Sequence, residues 1–265
     1  MKCKICMCDS DFFASAKILN KYDIKYFNCG KCGFIQTEDP YWLKEIYSDA
    51  IKQSDIGLLK RNIDLLNPTR AVIKFQFNKK GKFVDYGAGY GIFVRMMRDA
   101  GFDFYWSDKY CDNLFAKDFE AADAKTAKAK YEMLTAYEVF EHLEDPIQET
   151  EEMLKYSDSI MFSTYLLPSH KPKPGEWWYY GPDHGQHISI YTKQSLKILG
   201  GRFNLNLYSN DKSIHLLSKR KLNGFLFKAL TFPYAANLIS PVLSKKSLLD
   251  DDYKTVLLKL KEDKA

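Results

Sequence analysis

Residues 82–91, Lys-Phe-Val-Asp-Tyr-Gly-Ala-Gly-Tyr-Gly, place a short apolar run directly before three glycines that alternate with other residues. The run predicts a strand from Lys82 to Tyr86, and the apolar spacing through Phe93, Met96 and Met97 predicts a helix after the glycines. Glycine leaves the backbone bare, so a ligand can approach the turn and the helix N-terminus closely. This stretch therefore predicts a strand, a turn and a helix built around a ligand.

Further strands follow this unit along the chain. The pattern predicts strands at 102–107, 117–121, 131–139, 159–166, 205–209 and 213–218, with a helix at 192–199. Because parallel strands need crossover connections, helices between strands favour an α/β arrangement. We therefore expect a Rossmann-like, mostly parallel sheet of seven strands with helices on both faces.

The glycine turn and the next strand end together predict a nucleoside site. Asp108 ends the second strand, where a carboxylate can accept hydrogen bonds from two ribose hydroxyls. The dinucleotide pattern Gly-x-Gly-x-x-Gly fails, because counting from Gly87 its sixth position is Ile92. A nicotinamide-dependent oxidoreductase is therefore a weaker alternative.

The pattern Asp-x-Gly-x-Gly-x-Gly resembles the first motif of class I S-adenosylmethionine methyltransferases. The resemblance implies that the turn cradles the methionine part of the cofactor, that Asp85 faces its amino group and that Asp108 binds its ribose. The implied cofactor-binding residues are Asp85, Gly87, Ala88, Gly89, Gly91, Asp108 and Glu138.

A second motif, Glu138-Val-Phe-Glu-His142-Leu-Glu-Asp145-Pro146, follows the fourth predicted strand. It resembles the Glu-Val-x-Glu-His-x-x-Asp-Pro segment of small-molecule methyltransferases, and the resemblance covers residues from about 81 to 200. Glu138 is a candidate carboxylate beside the cofactor or the acceptor, and His142 a candidate contact to either. Alternatively, Glu141 and Asp145 cap the following helix and His142 only forms local hydrogen bonds.

Five of the six cysteines lie within the first 32 residues. Cys3-x-x-Cys6 and Cys29-x-x-Cys32 predict one zinc ion held by four thiolates, and a closed set of four ligands favours a structural role. Cys8 is a fifth candidate. The arrangement resembles the N-terminal domain of deoxysugar methyltransferases, which implies a sugar, nucleotide-sugar or glycan acceptor, although the long C-terminal domain of those enzymes is not expected here.

The segment 168–192 is long for a loop and is rich in aromatic residues and histidine. Its rings would suit a sugar ring or an aromatic acceptor, or would form a small buried core under a lid. His187, His184 and His142 are the candidate catalytic residues, because imidazole can take a proton near neutral pH. His187 ranks first because Gly-Gln-His-Ile-Ser resembles a recurrent segment of these methyltransferases.

We expect a zinc module at 1–40, a helical bridge at 41–80, a cofactor-binding core at 81–220 and a C-terminal helical extension at 221–265. The net charge of +5 is spread along the chain, so the charge pattern does not by itself indicate nucleic-acid binding. The longest apolar stretch, 224–243, is interrupted by lysine, asparagine and two prolines, which argues against a membrane span. The beginning of the chain shows no signal peptide, and we expect a reducing cytoplasm.

Two alternatives to a small-molecule methyltransferase stay open. A metal-dependent methyltransferase of RNA 3′ ends would use Glu138 and Glu141 with His142 and either His184 or His187 on a divalent ion. A non-catalytic protein would use the zinc module as a docking element on a methyltransferase-like core. Chelation and cofactor-binding experiments separate these two from the main prediction.

Overall fold

The computed structural model describes residues 1–46, 55–122, 130–243 and 245–262, which form two sheets and surrounding helices. The strands are β1 Ser10–Ile18, β2 Tyr22–Cys29, β3 Ile35–Thr37, β4 Lys82–Tyr86, β5 Asp103–Ser107, β6 Met133–Ala136, β7 Ser159–Ser163, β8 Ser189–Ile190, β9 Asn206–Ser209 and β10 Ile214–Ser218. The helices are α1 Leu43–Ile46, α2 Leu58–Gln76, α3 Ile92–Asp99, α4 Pro146–Tyr156, α5 Lys193–Arg202, α6 Gly224–Leu230, α7 Pro233–Leu238 and α8 Leu249–Glu262.

The larger sheet has the strand order β5-β4-β6-β7-β10-β9. The first four strands run parallel, whereas β10 pairs antiparallel with both β7 and β9. Parallel strands present their carboxyl ends at one edge, which brings the residues after β4, β5, β6 and β7 together. The Rossmann-like prediction is confirmed as a mixed sheet.

The described residues give six strands in this sheet, where seven are predicted. The strand expected at 117–121 is reduced to a single parallel bridge between Glu120 and Trp106. Asp118 has a φ of 74°, in the left-handed region, so the chain leaves the extended conformation that a ladder requires. Two main-chain hydrogen bonds attach this segment to β5, and Trp106 makes both of them, one through its N–H and one through its carbonyl oxygen.

The helical bridge also differs from its prediction. The apolar pattern from Leu58 to Leu66 predicts one helix that Asn67-Pro68 interrupts, yet α2 continues through Pro68. Proline removes one helical N–H, but Leu65, Ala71 and Val72 are buried in the core and hold the helix on both sides of it. The helical spacing of Trp42, Leu43, Ile46, Tyr47 and Ile51 predicts a helix here; the structure describes α1 over Leu43–Ile46, and Tyr47 and Ile51 lie outside the described residues.

The smaller sheet is antiparallel, with the order β1-β2-β3-β8. Its fourth strand comes from far along the chain: Ile35 pairs with Ile190, and Gln36 with Ser189. The N-terminal segment and the end of the long aromatic loop therefore form one sheet.

Apolar clusters cover both faces of the larger sheet. On one face Cys3, Cys29 and Cys32 join the same cluster as Val84 and Ile160, and on the other α2, α3 and α6 supply buried side chains. Helices therefore cover both faces, as predicted. Among the described residues, no helix has the length and apolar character needed to cross a membrane.

Candidate active site

The turn between β4 and α3 depends on its glycines. Gly87, Gly89 and Gly91 have φ angles of 67°, 54° and 85°, in the left-handed region that side chains disfavour. A Cβ atom at Gly87 would lie 2.7 Å from Cγ2 of Val139, and one at Gly91 would lie 2.8 Å from Oδ1 of Asn113. The turn is therefore closely packed against the segments that follow β5 and β6.

The N–H groups of this turn are bound to the end of β5. Gly87 and Ala88 both donate to the carbonyl oxygen of Ser107, at 2.9 and 3.2 Å. Gly89 donates to Oδ2 of Asp108 at 2.8 Å. A pyrophosphate site would need such N–H groups for its ligand. Their use within the protein favours a cofactor without phosphate.

Asp108 is anchored by its own loop. Besides Gly89, the N–H groups of Tyr110 and Cys111 donate to its Oδ1, at 2.7 and 2.9 Å. A carboxylate has about four acceptor positions, so part of its capacity is left for a ligand. The structure places Asp108 beside the glycine turn, as the sequence predicts.

Asp85 lies buried at the end of β4, where Thr135 of β6 donates a hydrogen bond to it. Burial raises the pKa of Asp85 to about 7, the Thr135 hydrogen bond lowers it, and the charge of Asp108 raises it further. A positive group nearby would therefore shift Asp85 towards its ionised form near neutral pH.

Glu138 follows β6 with a φ of 55°. Its N–H donates to Oγ of Ser163 at 2.8 Å, and that hydroxyl donates to Oε1 of Glu138 at 2.6 Å. Nε of Arg61 lies 3.4 Å from Oε2, and Arg61 also pairs with Asp55 at 2.6 Å. Sequence reasoning missed Arg61, Asp55 and Ser163, because no local pattern links them to Glu138.

The three predicted histidines form one cluster. The ring of His187 lies 5.1 Å from that of His142 and 4.7 Å from that of His184, measured between centroids. Nδ1 of His187 contacts the carbonyl oxygen of Tyr179, which can only accept, so Nδ1 donates and Nε2 keeps its lone pair. Nδ1 of His184 accepts from the N–H of Gln186 at 3.2 Å, which leaves the proton on Nε2.

Burial lowers the pKa of all three imidazoles, which favours their neutral form. It lowers the pKa of His142 to about 3, with further lowering from His184 and Arg61. Burial and the neighbouring His142 and His184 hold the pKa of His187 well below its ordinary value, and burial also lowers that of His184. The cluster therefore offers uncharged nitrogen at neutral pH.

Glu141 lies beside these histidines with no exposed surface. Within the described part of the chain, neither of its carboxylate oxygens has a hydrogen-bond partner. Burial first, and then the charge of Glu138, raise the pKa of Glu141 well above its ordinary value. One ligand atom from each of Glu141, His142 and His187 lies within 4.8 Å of the others. Glu138 is not part of this group, unlike the arrangement expected for the RNA alternative.

The aromatic segment divides into a buried and an exposed part. Tyr179, Tyr180 and Tyr191 are fully buried, in agreement with the alternative of a small aromatic core. Trp178 is 66% exposed, and its ring packs edge to face against Tyr165 with centroids 5.2 Å apart. An open aromatic surface thus remains beside a packed one.

The four predicted zinc ligands lie close together in the N-terminal segment. Sγ of Cys3 lies 3.6 Å from Sγ of Cys32, and Sγ of Cys6 lies 3.4 Å from Sγ of Cys29. Zinc–sulfur bonds of about 2.3 Å in a tetrahedron separate sulfur atoms by about 3.8 Å, so the residues fit a zinc ion. Cys8 lies outside this group, with its thiol 3.7 Å from the carbonyl oxygen of Cys6.

The cysteine cluster is connected to the loop that carries the histidines. Oγ1 of Thr192 donates to the carbonyl oxygen of Cys32 at 2.6 Å. Thr37 donates its N–H to Ile188 at 3.1 Å, and Nε1 of Trp42 donates to Gly185 at 2.9 Å. The N-terminal sheet therefore supports the segment around His187.

Comparison with known families gives one match. The family model Methyltransf_23, described as a methyltransferase domain, matches residues 57–210. This range includes the glycine turn, the Glu138 segment and the histidine cluster. No curated protein matches this sequence significantly.

Several solved structures are similar to this chain. A Thermotoga maritima protein described as an S-adenosylmethionine-dependent methyltransferase, possibly for histamine, is 10% identical with a TM-score of 0.47, over 66% of this chain and 99% of that one. The plantazolicin methyltransferase BpumL with bound S-adenosylhomocysteine is 14% identical with a TM-score of 0.46, over 69% of this chain and 92% of that one. Magnesium protoporphyrin IX methyltransferase from Synechocystis is 13% identical with a TM-score of 0.45, over 66% and 92%.

Proposed function

This chain belongs to the Methyltransf_23 family of S-adenosylmethionine-dependent methyltransferase domains, and from that premise we propose that it methylates a small, sugar-like molecule. The observation that carries the proposal is the carboxyl edge of the larger sheet, where Asp108 and the segment after Glu138 pack on the glycine turn, and where that segment continues to His142 of the histidine cluster. The acceptor is a sugar, a nucleotide-sugar or a glycan intermediate.

The cofactor side consists of the glycine turn and two carboxylates, with Glu138 at the boundary to the acceptor side. We assign the methionine part to Gly87, Ala88, Gly89 and Gly91, the amino group to Asp85, and the ribose to Asp108. S-adenosylmethionine supplies an electrophilic methyl group on a positively charged sulfur. The bare turn supports this assignment, since its left-handed glycines let a ligand approach the backbone. The buried carboxyl of Asp85 supports it as well, since an ammonium group favours the ionised form.

The acceptor side begins at Glu138. Ser163 and Arg61 fix its carboxylate on two sides, so we assign it to orienting the cofactor or an acceptor hydroxyl. Methyl transfer is an in-line displacement, and holding the reacting atoms in line supplies much of its acceleration. His187 is our first candidate for the proton acceptor, because its Nε2 carries a lone pair and its ring is neutral. His142 and His184 line the same cluster.

The exposed ring of Trp178 supports a sugar-like acceptor. Sugar rings present apolar C–H faces that pack on aromatic surfaces, while their hydroxyls need polar partners. Trp178 and Tyr165 offer such a surface, and Tyr165 lies two residues after Ser163, which donates a hydrogen bond to Glu138. Aromatic surface and fixed polar groups thus lie side by side.

We also propose a structural zinc ion at Cys3, Cys6, Cys29 and Cys32. All four positions of a tetrahedral ion are then filled by protein, which leaves none open for chemistry. The sulfur atoms of Cys3 and Cys32, 3.6 Å apart, and of Cys6 and Cys29, 3.4 Å apart, support this assignment.

Calorimetric titration with S-adenosylhomocysteine, followed by incubation with labelled S-adenosylmethionine and a panel of sugars, nucleotide-sugars and glycans, tests the proposal. We expect binding of S-adenosylhomocysteine and label in a sugar-containing product. Label in RNA 3′ ends, with activity lost on chelation, would favour the RNA alternative instead. A protein that binds no S-adenosylhomocysteine would support the non-catalytic alternative.

A further inference from the structure

We propose that Glu141, His142 and His187 bind one divalent first-row transition-metal ion, at a site separate from the four thiolates. The three side chains come from two distant segments, the short turn Phe140–His142 and the loop before β8. One potential ligand atom of each lies within 4.8 Å of the other two. The inference concerns metal binding and stands apart from the identity of the methyl acceptor.

The buried carboxylate of Glu141 is the first observation. Buried polar groups in native proteins nearly always have partners, and an exception needs an explanation. Glu141 is completely buried, and both of its oxygens lack a hydrogen-bond partner among the described residues. A cation between Glu141 and the histidines would satisfy this carboxylate.

The orientation of His187 is the second observation. Histidines that bind metals usually donate their other ring N–H to a carbonyl or carboxylate, which fixes the tautomer. Nδ1 of His187 contacts the carbonyl oxygen of Tyr179, so the lone pair is on Nε2. His184 has the opposite arrangement, since its Nδ1 accepts from Gln186, and we exclude it from the ligand set.

The ligand set selects the type of ion. Two imidazoles and one carboxylate suit zinc, cobalt, iron or manganese, whereas magnesium and calcium prefer oxygen ligands alone. Bonds of about 2.1 Å require ligand atoms about 3.4 Å apart in a tetrahedron, so the side chains move closer together on binding. His142 and His187 keep partial exposure, which leaves a route for the ion.

The charges around the cluster favour a cation. Asp55 and Glu138 both pair with Arg61, so their two negative charges outnumber its single positive charge. Glu141 adds a further carboxylate next to them. Attraction between opposite charges is strong where solvent is excluded.

A bound ion would change how the acceptor is activated. It would occupy the lone pair of His187 and lower the pKa of an acceptor hydroxyl bound to it, and that hydroxyl would then release its proton to water instead of to His187. This consequence rests on the proposed function, whereas the metal-binding test below does not.

Cobalt binding to the full chain with its thiolate site already filled by zinc tests the proposal. Bound cobalt is measured by elemental analysis and by visible absorption after free ion is removed. We expect about one cobalt ion per chain, without the intense sulfur-to-cobalt band of a thiolate site. Glu141→Gln and His187→Asn should each weaken cobalt binding at least tenfold. His170→Asn, which alters an exposed histidine outside the cluster, should bind cobalt like the unaltered protein.

Equal cobalt binding by the unaltered protein, Glu141→Gln and His187→Asn would overturn the proposal, and so would cobalt bound only through sulfur. Binding of S-adenosylhomocysteine by each variant shows that it is folded, and His187→Asn serves if Glu141→Gln does not fold. A protein that binds cobalt but no S-adenosylhomocysteine would contradict the proposed function and leave the metal site standing.

Discussion

The N–H of Ile188 donates to the carbonyl oxygen of Glu141 at 3.0 Å. This hydrogen bond joins the turn after β6 to the loop before β8, and it is reinforced nearby by Ser189, whose hydroxyl donates to the carbonyl oxygen of Leu143 at 2.7 Å. Together these two hydrogen bonds place His187 next to His142. Since β8 also belongs to the N-terminal sheet, the cysteine cluster and the histidine cluster are connected through that sheet.

Loss of zinc should therefore impair methyl transfer more than cofactor binding. Cys32→Ser should lose the ion and loosen the pairing of β3 with β8, while β4 and the glycine turn keep their own hydrogen bonds. A misplacement of about 1 Å at a reacting group costs about a hundredfold in rate, so we expect a loss of that order. Zinc content, S-adenosylhomocysteine affinity and turnover provide the measurements.

Cys8→Ser is the matched control for this variant, because the Cys8 thiol lies outside the group of four. It should keep both zinc and activity. Zinc retained in Cys32→Ser, or lost in Cys8→Ser, would show that the ligand set is assigned wrongly.

Asp108→Ala should weaken S-adenosylhomocysteine binding. The substitution removes a carboxylate that accepts N–H groups from Gly89, Tyr110 and Cys111. Hydrogen bonds to a charged group contribute about 1.5–3 kcal/mol, which corresponds to about ten- to a hundredfold in affinity. Asp112→Ala, at an exposed neighbouring carboxylate, should bind normally in calorimetry. Unchanged affinity of Asp108→Ala for S-adenosylhomocysteine would contradict the assignment of Asp108 to the ribose.

Binding of S-adenosylhomocysteine should increase with pH up to about pH 7. Burial raises the pKa of Asp85 to about 7 from 3.8, and only its ionised form attracts an ammonium group. Below that pKa, affinity should fall by up to about tenfold per pH unit. Titrations across this range in the unaltered protein and in Asp85→Asn provide the comparison, and the variant should lack the dependence.

The same shift has the opposite sign for stability without ligand. Protonated Asp85 is the form that the folded protein prefers, so its contribution is fully present below pH 3.8 and is lost as the pH rises through about 7. The stability of Asp85→Asn relative to the unaltered protein should therefore be greater at neutral pH than at pH 4. Thermal unfolding at the two pH values measures this difference, and identical differences at both would contradict the assigned shift.

Trp178→Ala should raise the KM for the acceptor by about three- to tenfold, the amount expected from the loss of an aromatic contact. Its ring is 66% exposed, so stability should change little. Phe12→Ala removes a ring that is 63% exposed on β1 and should leave KM unchanged. An unchanged KM in Trp178→Ala would exclude this ring from the acceptor site.

Asp252→Ala should destabilise the protein through the C-terminal helix. Asp252 and Arg98 are both buried and pair at 2.6 Å. Breaking a buried pair costs about 3–5 kcal/mol, and we expect the lower end because Arg98 keeps Asp103 at 2.7 Å. Asp251→Ala, on an exposed neighbouring side chain, is the control in urea unfolding. A decrease of less than about 1 kcal/mol in the free energy of unfolding would mean that α8 contributes little to the stability of the folded core.

Local patterns in the sequence predicted several elements well. The apolar run before Gly87 predicted β4 with its observed bounds, and the cysteine spacing predicted four thiols that lie together. Both depend on neighbours along the chain. The strand at 117–121 was predicted wrongly, because the left-handed backbone of Asp118 breaks the ladder after one bridge.

By itself the sequence determined the α/β core, the glycine turn and the two cysteine pairs, because hydrophobic periodicity and short spacings act between residues that are close in the chain. Only the tertiary structure decided that β8 completes the N-terminal sheet, that Arg61 reaches Glu138, and that the Glu141 carboxyl lies beside two histidines with no hydrogen-bond partner in the described part of the chain. These contacts join distant segments. They depend on how the sheets and loops pack in three dimensions, and no local pattern encodes that packing.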